Sequence, residues 1–422
     1  MTEDLYLKFM TEKFGVEKKI IDAGIQAQKN ILSMSKKIDS ICEFNQMKIL
    51  HAMQKNKLSD SHFNFSNGYG YNDAGRDVLE KIYCDVFNTE DSLVRINFVS
   101  GTHALACALF GNLNFGDELI YISGEPYDSL KNIIQELIKR GVKYKKIELK
   151  NNKDFDLDAI KKNISPQTKI IAIQRSRGYS LRKSLSVEKI GDVIKFIKKI
   201  NPNIIFLVDN CYGEFVEKFE PSDFGADLTI GSLIKNPGGG IAKTGAYITG
   251  KKNLIKNCSC QLFAPGLEKE LGASLGESFY SLYGLFVAPQ VVSCALKTAI
   301  FAAEIFSMFD FEVFPKSSDN RTDIIQAVNL KSKENLIKFC EGVQKASPVN
   351  NFFTPTPEKI PGYNCEIMMA AGNFIQGSSI EFSADAPIRS PYTVFIQGAL
   401  TWVHGKNAVL IAVDHLLNKE IV

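Results

Sequence analysis

Val208-Asp209-Asn210-Cys211-Tyr212-Gly213-Glu214 and, farther along, Gly231-Ser232-Leu233-Ile234-Lys235-Asn236-Pro237-Gly238-Gly239-Gly240 decide how this chain of 422 residues is read. Each stretch follows a short apolar run, 204–208 and 227–230, of the kind that forms a buried strand. In an α/β sheet the carboxyl ends of such strands are where ligands bind, so Asp209 and Lys235 are both expected there. No helix continues through Asn236-Pro237, and the triple glycine lets backbone come close to a flat ring. A lysine amine and a buried carboxylate at neighbouring strand ends form the pair that pyridoxal 5′-phosphate (PLP) requires. The lysine holds its aldehyde as a Schiff base, and the carboxylate keeps the pyridine nitrogen protonated. The plainer alternatives are a solvated turn lysine and an aspartate that caps a turn.

Working outward, β-branched runs at 94–98, 118–122, 142–147, 169–173, 204–208, 227–230 and 245–248 alternate with helical patterns. Seven strands separated mostly by helices predict a mainly parallel sheet covered on both faces, an α/β fold. Residues 13–56 carry isoleucines at spacings of three and four and predict two amphipathic helices. A long apolar helix is expected from near Ser281 through Ala303. Beyond it, strands at 365–370 and 378–383 and helices at 333–345 and 393–418 predict a smaller C-terminal α/β domain. The expected organisation is an N-terminal helical arm and interface segment over 1–77, a large PLP-binding domain over 78–308 and a small domain over 309–422.

Other residues fall near the same strand ends. Ser100-Gly101-Thr102 opens a helix after a strand, where free N–H groups and a small hydroxyl suit a phosphate, or where a serine merely caps the helix. Ser232, three residues before Lys235, is a further phosphate candidate. Tyr127, in Gly124-Glu125-Pro126-Tyr127-Asp128, can stack on a pyridine ring and donate a proton to a leaving group, or pack as a turn residue. Arg175, Arg177 and Arg389 are candidates for the bidentate grip on an amino-acid carboxylate, or for structural ion pairs. Tyr69 and Tyr71 sit in a glycine- and aromatic-rich segment, 64–76, as loop packing or ligand contacts.

Composition sets the limits. Apolar residues make up 45% and charged residues 23%, with 50 basic against 47 acidic side chains. That is the profile of a globular enzyme, and without a basic stripe nucleic acid is not an expected partner. Nine scattered cysteines in no framework spacing suit a reducing compartment. Cys258 and Cys260 lack a second ligand pair, so no metal is expected. No signal segment is read at Met1–Tyr6 and no segment is expected to span a bilayer, which makes the expected location cytoplasmic.

The four motifs Ser100–Ala104, Val208–Phe215, Gly231–Gly240 and Ser383–Arg389 resemble the bacterial aluminium resistance proteins, also described as related to methionine γ-lyase and cystathionine β-lyase. The likeness runs from about Gly68 to about His404. It implies the fold-type I arrangement of PLP enzymes, with active sites at the interface of a homodimer and dimers commonly paired into a homotetramer. It also implies carbon-sulfur lyase activity on an amino acid. By the same resemblance Lys235 matches the Schiff-base lysine, Asp209 the pyridinium partner, Tyr127 the stacking tyrosine, and Gly101, Thr102 and Ser232 the phosphate contacts. In the better-known lyases a tyrosine and an arginine from the neighbouring subunit reach the phosphate. Here Tyr69 or Tyr71, with Arg76, would serve. Ser232-Leu233-Ile234-Lys235 departs from the serine-any-threonine-lysine pattern of those lyases, so their substrate preference is not carried over. Transamination, retro-aldol cleavage, γ-replacement and a PLP-binding regulator without turnover are the alternative readings.

Overall fold

The computed structural model describes residues 2–67, 69, 71–360 and 363–418. Gly68 and Gly70, part of the glycine- and aromatic-rich segment, lie outside these. The chain forms two compact units, one of Glu43–Pro289 and one of Met1–Cys42 with Gln290–Val422. These lines differ from the three consecutive segments expected, because the N-terminal helices join the C-terminal residues in one unit. Gly24 shows why: a Cβ there would lie 2.8 Å from the Leu410 side chain.

The unit Glu43–Pro289 is built on a seven-stranded sheet. In chain order the strands are β1 (Asp91–Arg95), β2 (Glu118–Tyr121), β3 (Lys143–Lys146), β4 (Thr168–Gln174), β5 (Ile205–Asp209), β6 (Leu228–Ser232) and β7 (Ala246–Gly250). Their spatial order is β1-β7-β6-β5-β4-β2-β3. The pairs from β3 to β6 are parallel, and β7 runs antiparallel to both β6 and β1. The fold is therefore α/β with a mainly parallel sheet, as the sequence predicts. β1 begins three residues earlier than expected, since its pairing with β7 stops at Arg95, opposite Ala246 where β7 starts.

Alternation along the strands sorts the core into two layers. Leu119 and Tyr121, Ile170 and Ala172, and Ile205 and Leu207 face a layer shared with the helices Gly101–Asn112 and Lys252–Leu262. Their neighbours Ile120, Ile171, Ile173, Phe206 and Val208 face the other layer, with Ile190, Val193 and Ile194 of the helix Val187–Lys198. With both faces covered, the strands read as continuous apolar runs, and only their carboxyl ends are free to carry chemistry.

The other unit carries a five-stranded antiparallel sheet of β8 (Glu312–Phe314), β9 (Gln326–Asn329), β10 (Ile367–Ala371), β11 (Ser383–Pro387) and β12 (Thr393–Gln397). Residues 393–397, expected as the start of a helix, form a strand instead. Thr393-Val394-Phe395-Ile396-Gln397 is buried at every position and pairs with β9 on one side and β11 on the other. The helix starts only at Trp402, past Gly398 with its φ of +75°. The strand expected at 378–383 begins only at Ser383, the first residue paired with β12. The helix Ser278–Met308 is long and apolar enough to cross a membrane, contrary to expectation, but 78% of its most apolar stretch is buried inside the fold. Burial on most sides explains a helix that is apolar all round.

Leu207 is fully buried in the centre of β5. Leu207→Ala should lower the unfolding free energy by about 2–5 kcal/mol, measured by urea denaturation.

Candidate active site

Parallel pairing of β5 with β6 sets Asp209 opposite Ile230, so the turn after β5 and the loop after β6 leave the sheet at the same edge. The chain then brings several of the expected residues together. A Cβ on Gly101 would lie 3.2 Å from the Ser232 Cβ and 3.6 Å from the Cys211 Sγ. The helix N-terminus at Gly101, the Ser232 side chain and the turn after Asp209 are thus in contact, and a side chain at 101 would have to push Ser232 back by a few tenths of an ångström. Thr102 Oγ1 lies 2.8 Å from Ser129 Oγ, which adds a hydroxyl that the sequence did not single out. Ser100 caps the helix, its Oγ accepting the His103 N–H at 3.1 Å. The adjoining free N–H groups and hydroxyls form a cradle suited to a phosphate.

Lys235 places its Nζ 4.1 Å from the centre of the Tyr212 ring, a cation–π contact. Burial alone would push its ammonium down, but Cys211, Tyr212, Asp209 and Glu214 outweigh burial and hold it up. Asp209 is buried and accepts the Cys211 N–H at 3.1 Å. Burial raises its carboxyl above the usual carboxylate range, against Lys235, the Cys211 N–H and Arg182, which pull it down. A buried carboxylate so placed has room electrostatically for one more cation, and the protonated pyridine nitrogen of PLP would supply it. The residues present therefore fit the cofactor. Tyr127, partly exposed, packs 5.6 Å ring to ring from Tyr179 and against Gly178.

Arg175 is not available to a substrate. It is fully buried, and its guanidinium donates to Asn210 Oδ1 at 2.7 Å, the Gly213 carbonyl at 2.9 Å and Glu217 Oε2 at 2.6 Å. Glu220 Oε2 lies 3.5 Å away, and Asn210 Nδ2 donates to the same oxygen at 2.9 Å. The expected carboxylate grip of Arg175 gives way to a structural network under the turn 210–215. Arg177 is buried just beyond, and Arg389 is exposed after β11 in the other unit. Arg76 is likewise committed, pairing with Asp77 at 2.8 Å and donating to the Glu270 carbonyl. Tyr69 and Tyr71 pack on each other at 6.2 Å and are 74% and 63% exposed.

Two bulky residues of the turn have left-handed backbones, Tyr212 at φ +69° and Phe215 at φ +62°, each costing about 1–3 kcal/mol. Between them, Glu214 is fully buried. Its Oε1 accepts from the Tyr247 hydroxyl at 3.0 Å, and its Oε2 has no hydrogen-bond partner among the described residues. Burial, reinforced by Glu220 and opposed by Tyr247 and Lys235, pushes the Glu214 carboxyl up to about 8. The sequence assigns Glu214 and Asn210 no role and does not single out Tyr212; the only signal for them is their place in the turn after Asp209.

The family model described as methionine gamma-lyase matches residues 20–417. The chain is 48% identical to the uncharacterised protein YnbB of Bacillus subtilis (strain 168) over 407 residues, 94% of this chain and 97% of that protein. It is 43% identical to a carbon-sulfur lyase involved in aluminum resistance from Clostridium novyi NT, covering 97% of this chain and 99% of that one with a TM-score of 0.93. The PLP-dependent protein YhfS of Escherichia coli, 15% identical, shares the fold at a TM-score of 0.61 over 90% of this chain and 96% of that one.

Because folding raises the Glu214 pKa above its unfolded value near 4.5, its contribution to stability is full below that value. It is lost as pH rises through about 8. Glu214→Gln removes the titration, so its melting temperature relative to the parent should climb between pH 5 and pH 9. Thermal melts across that range check this; a pH-independent difference would exclude a neutral buried acid.

Proposed function

Since the chain belongs to the methionine gamma-lyase family, we propose that it is a PLP-dependent carbon-sulfur lyase. In this reading it eliminates a thiol from the β or γ carbon of a sulfur-containing amino acid such as cystathionine or methionine, giving ammonia and a 2-oxo acid. The observation that carries the proposal is the placement of Asp209 at the end of β5 and Lys235 just past the adjacent parallel β6, whose last residue Ser232 lies against Gly101.

Bound there, PLP supplies an electron sink for the charge left at the substrate Cα. Lys235 would be the residue that holds the cofactor, and its free amine would take the substrate Cα proton onto Nζ. Asp209 would face the ring nitrogen, and a cationic ring there would favour its ionised form. The N–H groups opening the helix at Gly101, with the Thr102 and Ser232 hydroxyls, hold the phosphate dianion. Tyr127 would stack on the ring and serve as the acid for the departing thiol. With Arg175 committed to its own carboxylates, Arg177 and Arg389 remain the candidates for the grip on the substrate carboxylate.

The proposal extends to a homodimer or homotetramer. Phe65, Tyr69, Tyr71, Tyr283 and Phe286 of one unit are each more than 40% exposed, more aromatic surface than a monomer ordinarily leaves in water. A second copy covers it, Tyr69 or Tyr71 reaching the partner's phosphate site. The purified chain should sediment as a dimer or larger. Tyr69→Ala with Tyr71→Ala should weaken PLP retention on dialysis without unfolding the chain, whereas unchanged retention would remove these tyrosines from the site.

Freshly purified protein should show a visible absorption band that borohydride bleaches, leaving a pyridoxyl group on Lys235, and Lys235→Ala should lose both. Pyruvate from L-cystathionine would mark β-elimination and 2-oxobutyrate from L-methionine γ-elimination. A fixed cofactor with neither product would leave transamination, aldol cleavage, γ-replacement or a regulatory role. A pyridoxyl group fixed at another lysine would remove Lys235 from the centre of the proposal.

A further inference from the structure

The turn 210–215 is more heavily built than a cofactor aspartate requires. Tyr212 and Phe215 both carry positive φ, a conformation that bulky side chains rarely adopt and that persists only where surrounding structure enforces it. Here the enforcement is visible. Glu220 Oε1 accepts the Phe215 N–H at 2.9 Å, Arg175 holds the Gly213 carbonyl at 2.9 Å, and the Gly213 N–H closes on the Asn210 carbonyl at 2.8 Å. Gly213 is needed for the clamp, since a Cβ there would lie 2.7 Å from the Arg175 Cδ. Among the placements this turn makes, the Tyr212 ring has its centre 4.1 Å from the Lys235 Nζ.

We propose that Tyr212 is a positioning residue for Lys235, its ring held against the amine by the strained, Arg175-clamped turn so that the ammonium form is favoured whenever Lys235 carries a proton. The inference deepens the lyase reading by explaining how Lys235 acts as a base. When the Cα–H bond breaks, the proton goes to Nζ, the new N–H bond makes an ammonium, and the electron pair stays behind on the substrate side. A ring against that ammonium stabilises the product of the transfer, and so strengthens the neutral amine as a base. The other titratable groups facing Lys235 are Asp209, Cys211 and Glu214, all on the same turn and all unchanged by a substitution at 212.

The test is competitive acetylation of the full-length chain by trace acetic anhydride at pH 8, with Lys235 labelling measured against exposed Lys37 of the same molecule. Only the neutral amine reacts, so each unit by which the ring raises the amine pKa slows labelling tenfold. Tyr212→Leu, which keeps bulk but removes the ring, should label Lys235 about three- to tenfold faster than the parent, with its labelling curve moved to lower pH. Tyr212→Phe, which keeps the ring, should stay within about twofold of the parent. Tyr212→Gly relaxes the left-handed backbone and supplies a ring-free variant that folds if the leucine variant does not; it should behave as leucine does. Equal rates for parent, phenylalanine and ring-free variants would overturn the proposal, as would a phenylalanine variant as fast as the ring-free ones. The measurement uses chain freed of PLP, so it stands whether or not borohydride fixes a pyridoxyl group at Lys235, and failure of the cofactor reading shows separately.

Discussion

The parallel pairing of β5 with β6 is the constraint on which the site depends. It fixes Asp209 and the Ser232–Lys235 loop at the same edge of the sheet, and nothing local to either motif could do so. Once both strands are buried on both faces, their backbone groups are spent in the ladder, and side chains beyond the last ladder bond have the only freedom left. Gly101 and Gly231 then matter for what they leave out. A Cβ on the first would press on Ser232, and one on the second would lie 2.2 Å from Glu214 Oε1. These two absences let a helix start, a strand end and a strained turn share one small volume.

The charges around that volume are settled away from the reacting amine. Glu217 and Glu220 answer to a single buried guanidinium, Arg175. A third buried carboxyl, Glu214, has no guanidinium against it, and burial raises it above the usual carboxylate range, with Tyr247 and Lys235 opposing. Leaving it ionised would add an uncompensated buried charge costing several kcal/mol. The same arrangement keeps Asp209 apart from this network, with Lys235 and the Cys211 N–H as its main partners. The result is one carboxyl, Asp209, facing Lys235 and another, Glu214, shifted upward behind it, two states set by surroundings rather than by residue type.

Much of this was legible in the sequence because strand ends follow from hydrophobic runs. The seven strands of the large sheet overlap the expected β-branched runs, β1 only at Val94 and Arg95, and those runs put Asp209 and Lys235 at or after strand ends. The residues that sequence misread share a different property: their role depends on a partner far along the chain. Arg175 looks like a carboxylate-binding arginine until Glu217 and Glu220, more than forty residues on, close over it. Ser129 gains its place only through Thr102. Thr393–Gln397 has the composition of either element, and its pairing with β9 and β11 decided for strand. The apolarity of Ser278–Met308 reports burial, which local pattern cannot tell from lipid.

Strain at Tyr212 and Phe215 is the observation that ordinary packing explains least. A turn after a strand needs neither residue in a left-handed backbone, and glycine at both places would remove the cost. The sequence puts glycine between them, at 213, where the Arg175 side chain leaves no room for a Cβ, and keeps an aromatic on either side. Phe215 is almost wholly buried, so its ring gains in packing what its backbone loses. Tyr212 points the other way, toward Lys235. An arginine and two glutamates, all or mostly buried, hold the turn that carries this ring, so stability is given up for position, and the position is set against Lys235.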